Sequence, residues 1–526
     1  MKINFFKKAW LLVVLFLFIG VFDAGADVKL TDDLTLSGMA RYTAIMSVGP
    51  ANPDLKALND SRGEGGSPRS NLLRTLIQME LNYRPTDIFR LYMKGRMIHD
   101  ETYLFQGSDL ENYNTTPWTD EHHGTDLMTG YGEDSFMAEL WEVWANIETE
   151  HFWVRLGKQQ IAWGDLPGIR IADKINPLDK SWHLTNEPEE YENIRIPEWA
   201  GRLYYSLPAA ISGPFEEVFI DTFYNPGDIH PDIQPAPGSP YMNAYSGNPY
   251  APGRAPGTID PSGAPQPDPD YNDMRGKDEY GVRLGFNLAQ FQACLMYMSL
   301  HNSFPLWSYL DAPVETQTIR GTVYPEIDVY AMTLSYAWDY PLNTSATFEG
   351  SYTPNQPWQD AVGAPFQAGP RTVYVPAVKD AGFWRTALYL ERNVFWLNSL
   401  SRFFYPEKIG FMYYRHWLDH DESFDVKLTP AEYSNGNRLD FAMDMFYLSY
   451  TLPFGQGASL ELNPKVYWNP EGSYKIQSFL KYAPNYSWRF DLGGMWQGGS
   501  SDKSFMYSAP SVKWNDELYF RITYSF

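Results

Sequence analysis

The chain has 526 residues, of which 16% are aromatic, and its formal net charge at pH 7 is −23. So acidic a chain is a poor partner for nucleic acid, because nucleic-acid binding depends on Lys and Arg side chains that neutralise phosphates. The single cysteine, Cys294, excludes an internal disulfide, and no C-x-x-C-H motif for covalent haem attachment is present.

Residues 1–26 have the three parts of a secretory signal peptide. Lysines come first, the apolar run LLVVLFLFIGVF follows, and Ala24, Gly25 and Ala26 form a small-residue cleavage site. The apolar run is shorter than the roughly 20 residues that a transmembrane helix needs. We therefore expect export and cleavage near Ala26. The strand pattern described below adds the expectation that the protein lies in the bacterial outer membrane.

Alternation of apolar and polar residues dominates the rest of the chain. In residues 72–83 the apolar and polar side chains fall on opposite faces of an extended chain, with Leu73, Ile77, Met79 and Leu81 against Arg74, Gln78, Glu80 and Asn82. Alternation of this kind over about 10 residues predicts a strand with one face in lipid and one in water.

The same pattern recurs and predicts an all-β protein with about 18 strands, within a range of about 16–20. The predicted strands are 34–46, 72–83, 88–98, 138–148, 151–163, 198–207, 215–224, 279–287, 291–300, 328–338, 344–352, 382–392, 408–417, 438–451, 458–468, 474–482, 487–497 and 516–526.

The connections between these strands alternate in length. The long polar loops 47–71, 99–137, 164–197 and 225–278 are separated by short turns. Short periplasmic turns and long extracellular loops are typical of a transmembrane antiparallel β-barrel, whereas a soluble sandwich has no reason to sort its loops in this way. Residues 27–526 are therefore predicted to form a single outer-membrane β-barrel domain in contact with outer-membrane lipid.

The last predicted strand bears on how the barrel closes. Lipid cannot satisfy free backbone groups, so the last strand must pair with the first. We expect Leu518, Phe520, Ile522 and Tyr524 to face lipid and Phe526 to lie at the interface. A terminal strand of this pattern resembles the signal that the bacterial barrel-assembly machinery reads, and Phe520, Ile522, Tyr524 and Phe526 would carry it.

Signatures of catalysis or metal binding are weak. The motifs G-x-S-x-G, H-E-x-x-H and G-x-x-x-x-G-K-[ST] are absent. The pair His122-His123 lies in a polar loop, and adjacent side chains of an extended chain point apart. The acidic stretches PQPDPDYND and DHDESFD offer oxygen ligands for Ca²⁺ without the EF-hand spacing. We expect solvated loops here, and no catalytic residue, resident metal or cofactor.

The polar faces of the strands predict a charged inner wall. Its C-terminal part carries the basic residues Lys475, Lys481, Arg489 and Arg521. Such a row can favour the passage of anionic solutes, or it can form salt bridges that stiffen the wall. Both interpretations remain open from the sequence.

The most specific stretch is VRLGKQQIAWGDLPGIRIADKINPLDKSWHL, followed by RIPEWAGRLYY. Here the chain resembles the proteobacterial outer-membrane barrels grouped as domain of unknown function 1302, which carry an R-x-G-x-Q strand, a W-G at its end, an N-P-x-D loop and a later R-x-P. The matching positions are Arg155, Gly157, Gln159, Trp163, Gly164, Asn176, Pro177, Asp179, Arg195 and Pro197.

These residues predict a loop that folds into the barrel. Gly157 leaves room for packing on the inner wall, and Arg155 and Gln159 flank it. Since a guanidinium has five donors, Arg155 is expected to hold the 169–182 loop by its carbonyls or by Asp179. The predicted constriction or docking site comprises Arg155, Gly157, Gln159, Trp163, Asn176, Pro177, Asp179 and Arg195. Direct ligand binding by the same residues is the alternative.

The resemblance implies an outer-membrane channel that passes a solute, hydrophobic or lipid-like, between periplasm and exterior. It also implies a periplasmic lipoprotein or an inner-membrane exporter as partner. A structural barrel, or a scaffold of a surface complex, and a barrel-borne hydrolase are the alternatives. The sequence specifies neither the solute, the direction of transport nor the oligomeric state.

Overall fold

The structure is a computed structural model. It describes residues 28–49, 70–100, 131–133, 136–179, 191–230, 232, 277–303, 306–307, 322–359, 364–368, 371–375, 378–397, 405–419, 442–470, 472–499 and 516–526. The predicted signal peptide, His122, His123 and most of both acidic stretches lie outside these residues.

The main sheet contains 20 strands, of which Val28–Lys29 and Tyr131–Glu133 are short rim strands. The other strands close into an antiparallel barrel of 18. They are β1 (Leu34–Ser47), β2 (Ser70–Thr86), β3 (Phe89–Asp100), β4 (Phe136–Glu148), β5 (Phe152–Gln159), β6 (Glu198–Ser206), β7 (Glu217–Asn225), β8 (Glu279–Leu288), β9 (Phe291–His301), β10 (Glu326–Trp338), β11 (Thr344–Gln359), β12 (Val378–Val394), β13 (Glu407–Asp419), β14 (Ala442–Phe454), β15 (Leu460–Asn469), β16 (Ser473–Tyr482), β17 (Trp488–Gly499) and β18 (Glu517–Ser525).

Two short hairpins stand apart from the barrel sheet, Leu306–Trp307 with Thr322–Val323 and Ala364–Ala368 with Arg371–Val375. The described helices are single turns, namely Tyr191–Ile194, Ala209–Ser212 and the 3-10 turn Gln456–Ala458. None of the helices within the described ranges has the length and apolar character needed to cross a membrane.

Pairing of the last strand with the first closes the barrel, as predicted. Strand β18 runs antiparallel to β1 with Ser525 opposite Met39. The amide of Gly38 donates to the carbonyl of Phe526 at 2.9 Å, and the amide of Phe526 donates back at 3.0 Å. The ladder therefore continues to the final residue of the chain, and the sheet has no free edge at this seam.

An apolar surface covers the outside of the barrel. Along β18, Leu518 and Phe520 are exposed on this surface, whereas Arg521 is completely buried on the inner one. The same alternation holds elsewhere and exposes Met79, Leu156, Leu203, Leu284, Leu295, Leu388, Leu448, Leu480 and Leu492. Because burying these side chains in lipid is favourable, the outer surface suits a bilayer.

Three details differ from the sequence-based expectation. Strand β5 ends at Gln159 rather than Trp163, because the chain turns into the barrel after Gln159. Tyr524 is buried instead of facing lipid, since the rings of Trp488 and Phe526 lie 4.9 and 6.3 Å from its own. Ile77, expected to face lipid, is also buried, and the described contacts give no reason for it.

Candidate functional site

A segment of the long connection between β5 and β6 crosses the interior of the barrel. We call residues 160–179 and 191–197 the inward fold. Trp163 and Ile175 pack against inner-wall side chains of β6, β7, β9 and β10. Leu166 and Ile171 pack against those of β12, β13 and β14. Ile194 packs against Leu76, Ile98 and Met137 on β2, β3 and β4. The inward fold therefore touches most of the circumference.

Asn176 fixes the shape of the inward fold. Its side-chain oxygen accepts a hydrogen bond from the amide of Ile161 at 2.6 Å, and its nitrogen donates to the carbonyl of Ile196 at 2.8 Å. The carbonyl of Pro177 then accepts from the amide of Ile196 at 2.9 Å. With 1% of its surface exposed, Asn176 joins the beginning, middle and end of the connection inside the barrel.

Glu349 anchors the inward fold to strand β11 of the wall. One carboxylate oxygen accepts the amides of Asp165 and Leu166, the latter at 3.2 Å, and the other accepts the amide of Ala172 at 3.2 Å. A Cβ on Gly164 would lie 2.9 Å from the amide nitrogen of Asp173 and 3.2 Å from this carboxylate. The W-G motif therefore ends in glycine because the chain passes so close to its anchor.

Acidic and basic side chains pair within the inward fold, and Arg96 on β3 joins them. Arg195 donates to Asp173. Arg96 lies 3.8 Å from the carboxylate of Asp179 and donates to the carbonyl of Asn193 at 2.8 Å. The sequence predicts that Arg155 holds the 169–182 loop by its carbonyls or by Asp179. The prediction is wrong for Asp179, because this residue reaches the wall at Arg96 on β3 and not at β5.

Trp163 attaches the inward fold to strand β7. Its indole nitrogen donates to Asp221 on β7 at 3.0 Å, and its ring meets Phe223 edge-on at 5.4 Å. Arg202 and Arg283 also donate to Asp221, at 2.6 and 2.8 Å. The carboxylate of Asp221 is thus fully buried and surrounded by donors, which satisfies the requirement for burying a charge.

The remaining motif residues, Gly157 and Gln159, lie on β5 itself. Gly157 has φ of +137°, and a Cβ there would lie 2.2 Å from the carbonyl oxygen of Val143 on β4. Glycine is thus required by the neighbouring strand, not by a packed loop as expected from the sequence. Gln159 donates to the carbonyl of Ala200 at 2.8 Å, and its own carbonyl accepts from Asn176 at 3.4 Å.

Lys174 lies among several charged side chains at the inward fold. Burial lowers the pKa of its ammonium group well below the usual range, and the nearby Arg385 and Arg170 lower it further. Asp232 and Asp173 act in the opposite direction. Arg170 itself is bound to Asp173 at 3.2 Å and to the carbonyl of Asn176 at 2.6 Å.

Three of the four basic residues on the C-terminal wall have a side-chain nitrogen within 4.0 Å of a carboxylate oxygen. Lys481 pairs with Glu461 at 2.9 Å, and Arg489 pairs with Asp491 at 2.9 Å. Arg521 lies 4.0 Å from the same aspartate. The fourth, Lys475, is buried with its ammonium 5.2 Å from the ring centre of Tyr467. These contacts favour the stiffening interpretation for Lys481 and Arg489.

A metal site is not formed by the side chains that the structure describes, since no three or more His, Cys, Asp or Glu groups are arranged to hold an ion. The expected solvated loops with His122, His123 and the Asp268 to Asp273 stretch lie outside these residues.

The family model for the protein of unknown function DUF1302 matches residues 21–526, which is nearly the whole chain. The chain belongs to the DUF1302 family. In this DUF1302 protein the motif residues of the R-x-G-x-Q, W-G, N-P-x-D and R-x-P elements thus converge on the inward fold and the strand from which it leaves. No curated protein matches the chain at a significant level.

Several solved outer-membrane proteins resemble the DUF1302 chain in overall shape. Pseudomonas aeruginosa OccK9 (OpdG) has 10% identity and a TM-score of 0.47, with 94% of this chain and 98% of that one covered. Acinetobacter baumannii OccAB4 has 9% identity and a TM-score of 0.46, with 95% and 99% covered. Salmonella typhi OmpF, solved in complex with daunomycin, has 9% identity and a TM-score of 0.40, with 95% and 100% covered.

Two residues that anchor the inward fold were not identified from the sequence. Glu349 is the acid at an inward position in the middle of β11, and Arg96 is one of several inward arginines. The isolated acid in the run TSATFEGSY was a usable signal for Glu349. Nothing in the local sequence separates Arg96 from Arg155 as the partner of Asp179.

Proposed function

We propose that this protein is an outer-membrane channel whose passage is narrowed by the inward fold. The observation that carries the proposal is the attachment of a crossing segment to two separate parts of the barrel wall, through Arg96 on β3 and through Glu349 on β11. A barrel of about 18 strands is wide enough for an aqueous channel, so a fixed crossing segment determines what passes.

The location follows from the outer surface. A closed sheet with an apolar exterior satisfies the two demands of a bilayer, namely paired backbone groups and apolar contact. The sequence adds an N-terminal export signal, and together these features support the bacterial outer membrane. Insertion by the barrel-assembly machinery, and cooperation with a periplasmic lipoprotein or an inner-membrane exporter, belong to the same proposal.

The proposed solute is hydrophobic in part. Five inward methionines on β9, β13 and β14 are buried in clusters that include residues of the inward fold. They are Met296, Met298, Met412, Met443 and Met445. These methionines therefore hold the inward fold and are not exposed to a passing solute. The partly exposed aromatic surface lies instead near the short-turn rim, on β5 and β6. A solute that enters from the periplasm meets aromatic rings before it meets the inward fold.

Planar-bilayer recording tests the channel proposal. The wild-type barrel should give discrete single-channel currents. Replacing residues 164–173 by a short Gly-Ser linker removes the crossing segment and should raise the unitary conductance several-fold, with the barrel still folded by its electrophoretic mobility. A protein that inserts but conducts in neither form would support the scaffold alternative. Equal conductance in both forms would show that the inward fold does not narrow the passage.

A further inference from the structure

A row of aromatic side chains lines the inner wall near the short turns. We call Tyr92, Trp144, Trp153, Tyr204 and Phe219 the aromatic row. Tyr92 stacks on Trp144 at 4.9 Å, Trp153 stacks on Tyr204 at 5.5 Å, and Tyr204 stacks on Phe219 at 5.2 Å. These residues come from β3 to β7, and those that stay partly exposed face the interior of the barrel.

Arg155 fills the gap in the middle of the aromatic row. Its guanidinium carbon lies 3.8 Å from the ring centre of Trp144 and 5.3 Å from that of Trp153. The carboxylates of Glu142 and Glu148 attract its charge from a distance. Within the described part of the chain, however, Arg155 forms no ion pair or hydrogen bond, and its buried Nε has no partner.

The arginines on both sides of Arg155 are already engaged. Arg90 donates to Asn82 at 2.8 Å, and Arg202 donates to Asp221 at 2.9 and 2.6 Å. Both are close enough to repel the charge of Arg155. Arg155 is thus a partly exposed guanidinium with unused donors, which lies against two indole rings and is repelled by its neighbours. An added carboxylate would relieve the repulsion and use the donors.

We propose that Arg155 and the aromatic row form a binding site for a carboxylate attached to a flat aromatic ring. The ring would pack against the partly exposed side chains of Trp153 and Tyr204, and the carboxylate would accept two hydrogen bonds from Arg155. The site deepens the proposed channel function by naming its solute class. It lies on the short-turn side of the inward fold, so periplasmic solutes reach it first.

Calorimetric titration of the detergent-solubilised barrel tests this site with 1-naphthoate, the neutral 1-naphthalenemethanol and acetate. The wild type should bind naphthoate about tenfold or more tightly than either comparator, since only naphthoate uses ring and charge together. Arg155→Gln should lower the naphthoate affinity about tenfold and leave naphthalenemethanol unchanged. Trp153→Leu should weaken both ring compounds. Arg385→Gln is the matched control, because Arg385 also lies over an inward ring, Phe383, at 4.4 Å.

Arg155→Lys serves as a second variant, since it keeps the charge and loses the planar pair of donors; it should bind naphthoate more weakly than the wild type and more tightly than Arg155→Gln. Equal naphthoate affinity in the wild type, Arg155→Gln and Arg385→Gln would overturn the site, even if single-channel currents are observed. Conversely, specific naphthoate binding without any single-channel current would support the binding site and contradict the proposed channel function.

Discussion

Glu349→Ala tests the anchor of the inward fold directly. The carboxylate accepts the amides of Asp165, Leu166 and Ala172. Hydrogen bonds to a charged group contribute about 1.5–3 kcal/mol each, and since they share one side chain their loss is less than additive. We expect about 4 kcal/mol of local docking energy to disappear in Glu349→Ala.

Glu349→Gln should have a smaller effect. The amide oxygen of Gln can keep both bonds of the first oxygen, to Asp165 and Leu166, while its NH₂ group cannot accept from Ala172. The expected loss is about 2 kcal/mol. Because 1.4 kcal/mol is a factor of ten, protection of these amides against hydrogen exchange should fall about 1,000-fold in Glu349→Ala and about 30-fold in Glu349→Gln.

Hydrogen–deuterium exchange of peptides from residues 160–179 measures both values, with the β-strand peptides as internal reference. Glu461→Ala is the control, since Glu461 is another carboxylate with an ion-pair partner, Lys481, on neighbouring strands. The anchor assignment is refuted if the amides of 164–173 stay protected in Glu349→Ala as in the wild type.

Three further changes test other parts of the structure. Asn176→Ala removes the bonds to Ile161 and Ile196 and should cost about 3 kcal/mol in denaturant unfolding, with Asn176→Asp as the isosteric comparison; a cost below 1 kcal/mol would contradict the clamp role. Met79→Arg should destabilise the folded barrel in vesicles by about 2–4 kcal/mol, while Met79→Leu is neutral, and equal stabilities would place Met79 away from lipid. Deleting Phe526 removes the two backbone bonds to Gly38 and should lower outer-membrane levels at native expression; unchanged levels would show that closure does not need it.

The strands were predictable because period-2 alternation and loop length are local signals. Each of the predicted strands overlaps one of the barrel strands, and the prediction that residues 516–526 pair with the first strand is confirmed. Boundaries failed where the chain leaves the sheet, as at Gln159, because the capping contact comes from Asn176 in a later segment.

Contacts across the interior were harder to predict. The motif places Asp179 in an inward turn but does not say which wall the turn reaches, and inward arginines are present on several strands. Arg96 meets Asp179 because the residues around Asn193 dock on β2 and β3, through Gln78 at 3.1 Å and Arg96 at 2.8 Å. Such pairs depend on the geometry of the whole barrel. The local sequence predicts only that these side chains face inward.

The position of Glu349 also implies an order of events during folding. It binds amides that precede it by 184, 183 and 177 residues in the sequence. The inward segment is therefore synthesised well before its anchor strand. Until β11 is added the segment has nothing to hold on that side, so a half-built barrel lacks this constraint. Narrowing of the lumen is then a step that needs β11 in place.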